Sequence, residues 1–75
     1  MTNEALVELA RQVLTERQFQ AWKISETLLD QQGRPAGKYR VAYLLGCSPE
    51  TARDLLRKAR TKLAQALIDQ DKEAA

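Results

Sequence analysis

The sequence of 75 residues predicts an all-α fold, a single domain of four helices that spans residues 1–75. Three observations predict it. Apolar residues recur at the spacing of three and four that is typical of amphipathic helices, no segment has the pattern of a strand, and glycine and proline are confined to two short segments, 33–37 and 46–49. A domain of this size has a small core, so we expect well-formed helix packing or a second subunit to stabilise it.

The first two helices follow from their apolar spacing and from a capping motif. The first is predicted at residues 3–13, with Thr2 or Asn3 as its cap, because apolar residues fall at i, i+3, i+4, i+7 and i+8. The second begins at a Thr15–Gln18 capping box and runs to about Gln31. It is apolar on two sides, which predicts a helix sandwiched within the fold or at a dimer contact. Those sides are Phe19, Trp22 and Leu29, and Ala21, Ile24 and Leu28.

The remaining two helices are separated by turn residues. The segment 33–37, Gly-Arg-Pro-Ala-Gly, must interrupt the helix before it. A short third helix is predicted from about Lys38 to Leu45, and Gly46 suits the left-handed position that ends a helix. Ser48 followed by Pro49 is a typical helix start, so the fourth helix runs from Pro49 to about Asp69, with a frayed tail at 70–75.

The third helix, the turn and the fourth helix match a helix-turn-helix pattern at about residues 38–62. Ala42 is small enough for the second helix to approach, Gly46 tolerates a positive φ in the turn, and Cys47 is an apolar plug. Ala52 and Leu55 place apolar groups early in the second helix. A plain αα-hairpin shares much of this pattern, so it remains an alternative.

The charge distribution is uneven along the chain. The net charge is +2 overall, but residues 34–62 contain eight Lys and Arg against two carboxylates, whereas 1–33 and 63–75 are each net acidic. A compact positive block between acidic flanks is typical of a protein that binds a polyanion. The alternative is a solvated helix face with i,i+4 ion pairs.

The fourth helix favours DNA as that polyanion. Its apolar residues gather on one arc and its polar residues on the opposite arc, as a recognition helix in the major groove requires. Arg pairs with guanine and Glu accepts from cytosine, so Glu50 and Arg53 are the best base readers. The predicted base-contacting residues are Glu50, Arg53, Asp54 and Arg57, and Arg57 is also predicted as a phosphate contact. The predicted phosphate contacts are Arg34, Lys38, Arg40, Ser48, Thr51, Lys58, Arg60 and Lys62.

Composition argues against several other classes. One cysteine and no histidine leave neither a disulfide framework nor a zinc finger, and we expect no metal site and no cofactor. No paired carboxylates, nucleophile–base pair or phosphate-binding glycine loop is recognisable, so we expect no enzyme. No apolar run reaches the ~18 residues of a membrane span, and the start of the chain does not resemble a signal peptide. A reduced, soluble, cytoplasmic domain is the expectation.

The segment 41–63 resembles region 4 of bacterial sigma factors. It keeps the alanine, glycine, serine and threonine of that family's frame and its closing Ala-Arg-x-Lys-Leu, and Leu14-Thr15-Glu16-Arg17-Gln18 is similar to the family's helix opening. The resemblance implies that Pro49, Glu50 and Arg53 face bases of a promoter −35 element. No segment corresponds to region 2, so promoter melting is not expected, and the connection from 32 to 38 is longer than the family's. The segment Leu14-Thr15-Glu16-x-Gln18-Phe19-Gln20 and the loop Gly33-Arg34-Pro35 are more weakly similar to plasmid repressors of the TrfB/KorA type. This similarity implies a stand-alone dimer on an operator.

These observations predict a sequence-specific regulator of transcription that binds double-stranded DNA, of bacterial, phage or plasmid origin, and forms a homodimer. The alternative is a module that binds RNA polymerase, as sigma region 4 also does, without reading DNA.

Four other residues have two interpretations each. Cys47 is a redox sensor or a buried plug, and Trp22 stacks on a base or packs in the core or at a dimer contact. Tyr39 and Tyr43 contact phosphate or pack.

Overall fold

The computed structural model describes residues 3–28 and 32–74, and in these ranges it contains four helices and no strand. They are α1 (Asn3–Val13), α2 (Glu16–Thr27), α3 (Lys38–Leu45) and α4 (Pro49–Ala74). The all-α prediction is confirmed, and the bounds of α1 and α3 agree with those expected from the sequence. None of these helices is both long enough and apolar enough to cross a membrane.

The predicted end of α2 at about Gln31 is wrong, because α2 ends at Thr27. Leu28 has extended backbone angles, and the amide of Ala36 donates to the carbonyls of Ser25 (3.1 Å) and Leu28 (2.9 Å). The Ser25 carbonyl would accept from the amide four residues later if the helix continued. The returning chain takes that acceptor instead. Leu29, assigned to an apolar side of this helix, lies outside the described residues.

α4 continues to Ala74, five residues beyond the predicted end at Asp69. Residues 65–74 contain neither glycine nor proline, so nothing in this segment interrupts the helix. The side chain of Gln65 also donates to Asp69 Oδ1 at 3.1 Å, one turn further on. Helical structure therefore replaces most of the tail that the sequence predicted to be frayed.

The core consists of two clusters that lie on opposite sides of α2. Trp22 belongs to the first cluster, with α1 and the middle of α4, and Ala21 to the second, with α3 and the start of α4. The predicted sandwiching of α2 is confirmed within the fold. The buried members are Leu9, Ala10, Leu14, Trp22, Ala59 and Leu63 in the first, and Ala21, Val41, Ala42, Ala52 and Leu56 in the second.

Local capping fixes the starts of α2 and α4 and the end of α3. Thr15 and Gln18 form both hydrogen bonds of the capping box, each 3.2 Å long. Gly46 adopts φ 71° and ψ 34°, and the amide of Cys47 donates to the carbonyl of Ala42 at 3.0 Å. The predicted left-handed turn is confirmed, and it brings the short helix α3 against the start of α4.

Candidate nucleic-acid interface

α4 has one buried face and one exposed face. Ala52, Leu56, Ala59 and Leu63 are each at most 5% exposed, and Leu55 and Ala66 are half-buried. The opposite face is polar and open to solvent over residues 50–62. The apolar residues thus anchor α4 from Ala52 to Ala66, and its charged side chains lie on the exposed face or at its edges.

The first two turns of α4 present two charged side chains that have no side-chain partner among the described residues. Glu50 and Arg53 are exposed, and in the part of the chain that the structure describes neither forms an ion pair or a side-chain hydrogen bond. Ser48 caps the first turn of α4, since its Oγ accepts from the amide of Thr51 at 3.2 Å and donates to Thr51 Oγ1 at 2.9 Å. The two hydroxyls predicted to contact phosphate therefore hold the helix start in the free protein.

Asp54 joins two of the predicted DNA-contacting cations. Its Oδ2 lies 3.0 Å from Lys58 Nζ, and its Oδ1 accepts a 2.8 Å hydrogen bond from Arg57 Nη2. These bonds from Lys58 and Arg57 hold the pKa of Asp54 below its ordinary value of 3.8. All three side chains are substantially exposed, so water screens the ion pairs and they contribute little to stability. They do set where the two cations point.

Two other predicted phosphate contacts bond to α2 instead of pointing freely outwards. Arg60 Nη2 donates to Ser25 Oγ at 3.3 Å, and Lys62 Nζ donates to Gln18 Oε1 at 3.0 Å. The donors are two residues apart on α4, while the acceptors are seven residues, about 10 Å, apart on α2. α4 thus runs across α2, and these bonds fix its position at two points.

The segment before α3 supplies the remaining cations. Arg34 is exposed and donates to the side chain of Gln32. Lys38 is half-buried, with Nζ 5.2 Å from the centre of the Tyr39 ring, and Arg40 is exposed. A cleft of about 620 Å³ separates this segment from the exposed flank of α4. Lys38 lines one side of it, and Arg53, Arg57 and Arg60 line the other.

Sequence reasoning missed the bonds that hold this arrangement together. Ser25 is fully buried, and its Oγ donates to the carbonyl of Ala36 at 2.9 Å while it accepts from Arg60. The available signal was its spacing, since Ser25 follows Ala21 by four residues on a side of α2 expected to be apolar. A serine at such a position needs a polar partner, because a buried hydroxyl is otherwise costly.

The four residues with two interpretations are resolved in part. Trp22 is 6% exposed within the first cluster and Cys47 is half-buried against the second, so both pack as the core interpretation predicts. Tyr39 and Tyr43 are 71% and 84% exposed, which excludes a packing role within the chain. Both rings lie on α3 and are open to solvent.

Comparison of the chain with protein-family models, with curated proteins and with solved structures found no match.

Proposed function

We propose that this protein is a sequence-specific, double-stranded-DNA-binding regulator of transcription, in which α3, the turn at 46–48 and α4 act as a helix-turn-helix. α4 enters the major groove with its first turn leading. Glu50 and Arg53 read base edges, and cations on either side of α4 contact the backbone. The protein acts without a cofactor, in the cytoplasm of its host.

The observation that best supports this proposal is the state of Glu50 and Arg53. Both are exposed in the first two turns of a helix whose opposite face packs against the core, and neither is engaged by another described side chain. Because the helix backbone is already ordered and no internal side-chain bond has to be broken, only the side-chain rotamer entropy opposes contact with a base edge. The surrounding positive charge supplies the nonspecific attraction that brings the duplex to them.

The other cations differ in which internal ion pairs or hydrogen bonds must break before they can contact phosphate. Arg57 and Lys58 have to exchange Asp54 for phosphate, whereas Arg40 is exposed and has no partner among the described residues. Asp54 itself is a base reader only after that exchange. Lys62 contributes its charge while its ammonium group stays close to Gln18.

Selection from random duplex DNA at about 150 mM salt tests the proposal. We expect enrichment of a defined sequence that binds ~10³-fold or more tightly than a scrambled duplex. Arg53→Ala should cost about 1–3 kcal/mol on the selected site and little on the scrambled one. Arg57→Ala and Lys58→Ala should weaken both alike. Absence of any enrichment would contradict sequence-specific binding by this chain.

We further propose that the protein binds as a homodimer. One recognition helix reaches only a few base pairs, so two half-sites about one helical turn apart provide the required specificity. A palindromic selected sequence and a two-to-one complex in sedimentation are the expected results. A strict monomer both free and on DNA would contradict the dimer and leave single-site binding intact.

A module that binds RNA polymerase is the second candidate, and one surface favours it. A groove of about 530 Å³ lies between α2 and α3, lined in part by Phe19, Ile24 and Leu44, and Leu44 is 47% exposed. Half-exposed apolar side chains of this kind suit a protein partner. If polymerase is the target, Leu44→Ser should abolish its capture while Arg53→Ala does not.

A further inference from the structure

The cleft between the segment 35–38 and α4 has a composition that suits an anion. Lys38 and three arginines, Arg53, Arg57 and Arg60, line it, and no carboxylate is among its lining residues. The arginines are spaced by four and three residues, which places them on one flank of α4. Asp54 pairs with Arg57 from outside the cleft, so most of the positive charge there is uncompensated.

The wall of the cleft formed by residues 35–38 is held rigidly against α2. Ser25 Oγ donates to the Ala36 carbonyl at 2.9 Å, and the Ala36 amide donates to the carbonyls of Ser25 and Leu28 at 3.1 and 2.9 Å. Ala36 is 8% exposed, and Ser25 is fully buried. The segment is thus fixed to the end of α2 by three hydrogen bonds, which preorganises the cleft.

The donors at the cleft are already oriented. Arg60 is steered by its 3.3 Å bond to Ser25, which occupies one of its five N–H groups and leaves the others available. In the described part of the chain no side-chain hydrogen bond caps α3 at Gly37, and Gly37 and Lys38 line the cleft, so the first amides of α3, which have no partner within the helix, lie at the same place. Arginine binds phosphate oxygens through two parallel hydrogen bonds, which makes a phosphate group the fitting anion.

We propose that this cleft is the seat of one backbone phosphate of the bound DNA, held by Lys38 and Arg60. This inference rests on the proposed function and adds to it one contact that fixes the position of the DNA backbone on the protein. The phosphodiester is clamped between the wall at 35–38 and the flank of α4, which sets how far the first turn of α4 reaches into the groove. A cleft lined by one sign of charge also focuses its field on that phosphate.

Three single-charge variants test the seat. Lys38→Gln and Arg60→Gln each remove one cleft cation, and Lys72→Gln removes an exposed cation near the far end of α4 as the matched control. The measurement is the slope of log affinity against log salt concentration on the selected duplex, together with far-UV circular dichroism to verify folding. We expect each cleft variant to reduce the slope by about 1, as loss of one phosphate contact does. The control should leave the slope unchanged.

A duplex series with one uncharged methylphosphonate at each position in turn locates the phosphate. At a single position the substitution should weaken the wild type about tenfold and weaken Arg60→Gln and Lys38→Gln clearly less, because each variant has already lost part of the contact with that phosphate. Additive losses at every position would overturn the seat. So would cleft variants that behave like Lys72→Gln.

The outcomes separate the seat from the proposed function. If the wild type selects and binds a duplex but neither cleft variant changes the salt slope, the seat is wrong and the function stands. If no duplex is bound, both fail. A nucleoside diphosphate that shifts the Gly37 amide resonance while the duplex stays bound would assign the cleft to a free phosphate ligand and overturn its role in docking.

Discussion

Lys62 Nζ donates a 3.0 Å hydrogen bond to Oε1 of Gln18, which lies 44 residues earlier in the chain. The same oxygen accepts from the amide of Thr15 at 3.2 Å, and Gln18 is only 7% exposed. One side-chain amide therefore completes the capping box of α2 and binds α4. A residue predicted to hold phosphate thus has a role in joining two helices.

Replacing Lys62 by methionine should lower stability more than DNA affinity. Met keeps much of the aliphatic stem but removes the donor to Gln18 Oε1, so we expect the free energy of unfolding to fall by about 1 kcal/mol in urea titrations. Affinity for the selected duplex should fall less than it does for Arg57→Met. The opposite order, with unchanged stability and a large loss of binding, would show that the Lys62 ammonium serves DNA instead.

Gly46 is the position in the α3–α4 turn where a side chain is most costly. Its φ of 71° is left-handed, and nothing lies within 4 Å of a Cβ placed there, so the cost comes from the backbone alone. Gly46→Ala should therefore destabilise the fold by about 1–2 kcal/mol. Gly46→Asn is the matched comparison and should cost less, because asparagine tolerates this conformation better. Equal losses for both would indicate a steric cause.

Ser25→Ala should destabilise the protein by about 1–3 kcal/mol, because it leaves the buried Ala36 carbonyl without its side-chain donor and removes the acceptor of Arg60. Thr27→Ala is the control on the same helix. Among the described residues its exposed hydroxyl donates only to the carbonyl of Lys23 within α2, so its loss should change stability by less than about 0.5 kcal/mol. The measurement is the thermal unfolding of both variants and the wild type, and equal losses of stability in the two variants would contradict the prediction.

The contrast between Gly46 and Ser25 shows what the sequence could predict. Signals contained within a few neighbouring residues, such as the Thr15–Gln18 capping box and the turn at Gly46, predicted element starts and ends correctly. The early end of α2 depends on Ala36 returning to Ser25, eleven residues away, and no local pattern contains that pairing. The same holds for the candidate site, whose cations were identified but whose bonds to α2 and to Asp54 depend on tertiary geometry.

The pairing of Asp54 predicts a pH dependence at acidic pH. Hydrogen bonds from Lys58 and Arg57 lower its pKa in the folded state, so its contribution to stability is present above the unfolded value and is lost as pH falls through the folded pKa. A carboxyl-detected NMR titration should give Asp54 a midpoint below 3.8. In Lys58→Gln that midpoint should rise. A midpoint at or above the ordinary value in the wild type would show that the ion pairs do not persist in solution.

Asp54 also limits how strongly α4 attracts DNA of any sequence. It occupies Arg57 and Lys58 in the free protein, and a duplex must compete with it for both cations. Asp54→Asn removes that competition, so affinity for a scrambled duplex should rise about three- to tenfold and the salt slope should steepen. The gain on the selected duplex should be smaller if Asp54 takes part in base reading, so the ratio of specific to nonspecific affinity falls.

Asp69→Asn is the control, because it makes the same charge change on the same helix, at a carboxylate bonded only to Gln65 among the described side chains. Anisotropy titrations that give equal gains for the two variants would reduce the effect to net charge, whereas a gain confined to Asp54→Asn identifies a residue that trades affinity for specificity.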